Sequence, residues 1–135
     1  MSETNADMLR RAFATWNESG PEALLDRFWA EDVVYREMPG WPDAGVFRGR
    51  AAVLKRMQSL VDLIGHVEVR LDDLIDAGGG RFVALVSMVG ENVENEAGYT
   101  QSFGVVHQVR GGLVVEADYY LDPAEALQAA GLAER

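Results

Sequence analysis

The chain has no cysteine among its 135 residues, which excludes disulfides, thiolate metal ligands and cysteine nucleophiles. Basic residues are scarce: 12 Lys and Arg stand against 22 Asp and Glu, for a net charge of −10. Phosphate backbones and anionic membranes are held by clustered cations, and here the cations are few and scattered, so neither nucleic acid nor membrane is an expected partner. No apolar run approaches the ~20 residues that cross a bilayer. The opening Met1-Ser-Glu-Thr-Asn-Ala-Asp7 lacks the basic and apolar segments of a secretory leader, and a cytoplasmic location is the expectation. The two histidines, His66 and His107, fall in no HxH or HExxH spacing, so no metal is expected. No GxGxxG, P-loop or nucleophile-elbow motif occurs, and no cofactor is expected. This balance favours a neutral or cationic small organic ligand, or a protein partner.

A hydrophobic content of 48% is enough for a substantial core, and no linker, repeat or low-complexity stretch divides the chain. One domain over residues 1–135 is expected. Met8, Leu9, Ala12, Phe13 and Trp16 recur at helical spacing over residues 5–17. Gly20 and Pro21 mark a boundary, and a second helix over 21–29 buries Leu24, Leu25, Phe28 and Trp29. A short strand follows at Val33–Glu37. Pro39, Gly40 and Pro42 then force a loop that displays Trp41 and Asp43. A third helix opens at Gly49 or Arg50 and runs to Ile64, with Val53, Leu54, Met57, Leu60, Val61 and Ile64 on one stripe. Three strands come next, over 66–76, 81–93 and 99–110, with a fourth from 113. Gly111-Gly112 supplies the positive φ angles of a tight hairpin turn. Asp122-Pro123 caps a short C-terminal helix. The expected fold is α+β: a cone-shaped, curved antiparallel sheet with three helices over its concave face.

The last strand suggests the site. Alternation places Val114, Glu116, Asp118 and Tyr120 on one face, and Val115, Ala117, Tyr119 and Leu121 on the other. The first face carries two carboxylates and a phenol among hydrophobic neighbours, and it reads as a pocket wall centred on Asp118. Burial raises a carboxyl pKa and makes it a base near neutrality; the alternative is a plain structural ion pair. Glu37 is a second candidate, because two carboxylates in one apolar pocket divide into an acid and a base. Tyr35 shares the face of Glu37 and could orient a ligand oxygen or water. Tyr120, Trp29, Trp41, Phe47, Met57, Ser87 and Ser102 are candidate lining. Val105, His107, Val115, Ala117 and Tyr119 are expected on an outer face, as a two-fold interface. The acidic run from Glu91 to Glu96 reads as a solvated hairpin loop.

The order of elements, with Phe28-Trp-Ala-Glu-Asp-Val-Val-Tyr35, Phe47-Arg-Gly-Arg-Ala-Ala-Val53 and the final hairpin, resembles the SnoaL-like group of the nuclear transport factor 2-like superfamily. Polyketide cyclases, limonene-1,2-epoxide hydrolase and ketosteroid isomerase are relatives. Tyr35-Arg-Glu-Met-Pro39 is similar to a hydrolase segment, and the last strand lays Asp118 on that enzyme's base. The strand Ala84-Leu-Val-Ser-Met-Val89 lacks the hydrolase's charged partners. The catalytic Asp of the isomerase falls near Glu37. The resemblance implies a homodimer with a pocket for an apolar oxygenated small molecule. It further implies cofactor-free carboxylate acid/base chemistry of the cyclase, isomerase or dehydratase type. A hydrolase with an altered site is one alternative, and a non-catalytic ligand-binding or dimeric assembly module is another.

Overall fold

The computed structural model describes residues 4–41, 43–65, 67–91 and 98–132. His66 and residues 92–96 of the acidic run lie outside them. Helix α1 spans Asn5–Ser19, and the hydroxyl of its N-cap Thr4 accepts from the Asp7 N–H. Gly20 ends it at φ 84°, and Pro21 opens α2, Pro21–Phe28. The chain passes directly into β1, Trp29–Glu37, four residues earlier than the periodicity suggests, because Trp29 and Ala30 are both buried. A loop carrying Trp41 returns through β2, Val46–Arg48, to α3, Arg50–Ile64, which stops at Gly65. Strands β3 (Val67–Gly78), β4 (Arg81–Glu91), β5 (Gly98–Arg110) and β6 (Leu113–Tyr120) follow, and α4 spans Pro123–Ala129. Gly111 and Gly112, both at positive φ, form the β5–β6 turn as the dipeptide implies.

The six strands form one curved, unclosed sheet in the order β2-β1-β6-β5-β4-β3. Its pairs are antiparallel, except that β1 runs parallel to β6. The concave face meets α1, α2 and α3 through Leu9, Leu25, Val33, Val53, Val86, Val105 and Val114, all at most 1% exposed. The opposite face carries a smaller cluster, where Val83, Val106 and Tyr120 meet Ala126 and Ala130 of the α4 segment. Gly104 permits this seat, since a Cβ there would lie 2.6 Å from that of Ala126. The outer strand β3 is clasped by α1: Asn17 accepts from the Val69 N–H at 2.9 Å and donates to its carbonyl at 2.7 Å. The side-chain amide thereby serves as a short surrogate strand on that edge.

One irregularity decides which side chains face inward. Gln108 pairs with Glu116 but Val109 pairs with Val114, so Val115 is a bulge residue. Val114 and Ala117, three apart, are both fully buried. Beyond the bulge, Ala117 and Tyr119 look into the concavity while Glu116, Asp118 and Tyr120 look out.

Candidate functional site

The concave face encloses an aromatic cavity of about 100 Å³, open at one side. Phe13 and Trp16 of α1, Trp29 and Tyr35 of β1, Trp41 of the loop, Met57 of α3, Phe103 and His107 of β5 and Tyr119 of β6 are among its walls. Three of the residues expected as lining are therefore in place: Trp29, Trp41 and Met57. Trp41 is fixed there by its indole N–H, which donates to the Tyr119 carbonyl at 3.1 Å, and by edge-on contact with Phe103.

The polar corner is built on β1. Alternation turns Val33, Tyr35 and Glu37 inward, as expected for the last two. Tyr35 lines the cavity wall, and its hydroxyl donates to Glu37 Oε2 at 2.7 Å. The Glu37 side chain is wholly buried just behind it, and Arg56 of α3 grips both its oxygens, with Nε at 2.9 Å from Oε2 and Nη2 at 2.8 Å from Oε1. Arg56 also lies over the Phe47 ring. An arginine–carboxylate pair in this two-point geometry is both strong and directional. Burial raises the Tyr35 pKa, with the neighbouring Tyr119 and Glu37 adding to it, so the phenol stays protonated. Tyr119, whose ring centre is 4.9 Å from that of Tyr35, is raised by burial and then by Glu37. Arg56 is the member that sequence reasoning missed. Its position on α3, three residues after the fully buried Val53, was the available signal.

Several expectations are corrected. Asp118 does not sit at the pocket floor: it lies on the outward face and accepts from Arg36 Nη1 at 2.8 Å, with Glu116 on Nη2 at 3.2 Å. Tyr120 is on that same face, against the α4 cluster. Ser87 donates to Asp72 and Ser102 is exposed, so neither lines the cavity. Phe47 packs on the far side of Tyr35 instead of lining the cavity. The proposed outer interface fails at most of its members, since Val105, His107 and Ala117 are at most 2% exposed and Tyr119 faces the cavity. His107 lies edge-on to Phe13 within the wall, and burial pushes its pKa down to about 4. Among the described residues, no three His, Cys, Asp or Glu side chains converge as metal ligands, and no helix is long and apolar enough to cross a membrane.

A curved sheet with helices over its concave face and an aromatic hollow between them defines a nuclear transport factor 2-like fold. The SnoaL-like domain profile matches residues 9–117, and the chain belongs to that family. A nuclear transport factor 2-like protein of unknown function from Burkholderia pseudomallei superposes with a TM-score of 0.74 at 21% identity, over 94% of this chain and 97% of that one. A ketosteroid isomerase-like fold from Catenulispora acidiphila, solved with trimethylamine, has a TM-score of 0.72 at 17% identity, over 96% and 95%. TerC, co-crystallised with polyporic acid, has a TM-score of 0.73 at 17% identity, over 94% and 98%. No curated protein matches the chain.

Proposed function

We propose that the chain, as one domain, takes an uncharged, largely apolar oxygenated molecule into this cavity and catalyses a cofactor-free proton transfer on it. The isomerase, cyclase and dehydratase types all fit. The observation that carries this reading is Tyr35 in the cavity wall, its hydroxyl bonded to the buried carboxylate of Glu37. While that hydroxyl donates to Glu37, its own lone pairs remain available to an acidic proton of the ligand. As the ligand's proton moves to Tyr35 Oη, the phenolic proton moves to Glu37 Oε2. A free phenolate, which burial disfavours here, never accumulates. Reversing the relay at a second ligand atom completes an isomerisation or ring closure. Arg56 holds the carboxylate in the one orientation the relay needs.

A second reading, as a non-catalytic ligand-binding module, is favoured by that same Arg56 contact, which occupies both Glu37 oxygens. A thermal-shift screen with small apolar alcohols, ketones and phenols, followed by product analysis of each binder, separates the two. On the catalytic reading Tyr35→Phe and Glu37→Gln each lower turnover about 10²–10⁴-fold while the ligand still binds. Binders that are never converted by the wild type support the module instead.

A further inference from the structure

Tyr119 and His107 are polar side chains of the cavity wall that the relay does not use, and His107 is the one with an unmatched atom. His107 lines the wall at 2% exposure, and its Nδ1 is fully buried with no hydrogen-bond partner. Leaving such an atom unmatched is costly, and native folds keep few without a reason. Sealed in this way, Nδ1 is out of a ligand's reach and carries the bare lone pair, which leaves the proton on Nε2 and the contact to the rest of the imidazole. Tyr35 pairs with Ala117 and Ala117 with His107, so the three lie in one row across β1, β6 and β5. Two strand spacings put the Cα atoms of Tyr35 and His107 about 10 Å apart. The residue between them, Ala117, projects only a methyl group.

We infer that His107 is the specificity-determining contact of this cavity, its imidazole meeting an uncharged hydroxyl or carbonyl of the ligand across Ala117 from Tyr35. This deepens the reading of the hollow as a ligand site, and it does not depend on the relay. An anionic group is a poor occupant. Arg56 is committed to Glu37, and burial keeps His107 neutral near pH 7, so no cation faces a carboxylate. Size points the same way. An apolar cavity of about 150 Å³ takes benzene, so a hollow of about 100 Å³ encloses part of one ring, with the rest of the ligand projecting through the open side.

The test uses phenol, toluene and benzoate as probes, titrated calorimetrically into the wild type, His107→Leu and His107→Gln. Phenol and toluene differ by a hydroxyl for a methyl, so their affinity ratio isolates the polar contact. A neutral hydrogen bond corresponds to about a five- to ten-fold preference. That preference is expected in the wild type, lost in His107→Leu and kept within about two-fold in His107→Gln, whose amide retains a polar atom near the Nε2 position. Benzoate should bind at least about ten-fold more weakly than phenol. His107→Leu should also melt no lower than the wild type, since it removes an unmatched nitrogen. An unchanged ratio in both variants overturns the inference and leaves the cavity reading standing. Severe loss of folding in both assigns His107 a structural role and overturns it as well. Failure of phenol and toluene alike to bind the wild type overturns this inference and the proposed function together.

Discussion

Two arginine–carboxylate pairs start from adjacent residues of β1 and do different things. Arg36 on β1 meets Asp118 on β6 on the outward face, with side chains 33% and 24% exposed. One residue further along β1, Glu37 turns inward to Arg56 with its side chain fully buried. The chemical groups are the same and the distances match at 2.8 Å. What differs is the medium: water screens the first pair, whereas the second sits among aromatic rings, where an unpaired charge would be hard to tolerate. Residue type therefore says little about which carboxylate is buried on the concave side, and strand parity says most of it.

The largest effect should come from breaking the inner pair. Arg56→Leu leaves Glu37 buried without its partner and should cost about 3–5 kcal/mol of stability, read from the urea midpoint. Replacing both members, as Glu37→Met with Arg56→Leu, should restore most of that loss; failure to do so would mean that the pair stabilises by more than cancelling its own burial. Next comes pH. With His107 at about 4 when folded and near 6.5 when unfolded, the unfolded chain binds the extra proton between those values. Stability is thus full above pH 6.5 and falls as pH drops toward 4, by up to about 3 kcal/mol. The slope across that window should flatten in His107→Leu. Tyr35→Phe removes the hydroxyl that donates to Glu37 and should cost about 2 kcal/mol. Smallest is Asp118→Asn, at under about 1 kcal/mol and less still in molar salt. Ligand affinity should be unmoved by it. A loss larger than that of Tyr35→Phe would reverse the comparison.

The sequence carried the architecture well, because helix stripes, the Gly20-Pro21 boundary and the Gly111-Gly112 turn are local signals. Tyr35 and Glu37 were legible for a similar reason: β1 alternates without interruption from Val33 to Glu37. On β6 the polar face looked like a pocket wall, because two carboxylates between hydrophobic residues suggest costly burial. Arg36, 82 residues away, relieves that cost from the neighbouring strand. No local pattern reports such a pairing. The bulge at Val115 compounded the problem, since one inserted residue breaks the parity on which face assignments rest. His107 was placed correctly with Phe103 and Val105, but the whole set was turned outward, and only the packing of α1 against it fixes the direction.

The parallel seam between β1 and β6 has a consequence for biogenesis. Every other strand neighbour is joined by a hairpin or a short connection, whereas this one joins the first third of the polypeptide to its end. While the chain is being made, the hollow lacks a side until residue 120 has emerged, because Tyr119 arrives last. Closing so long a loop is entropically slow, and it must precede the row that links Tyr35 to His107. A ligand present during synthesis would therefore find nothing to hold until the final strand has zipped into place.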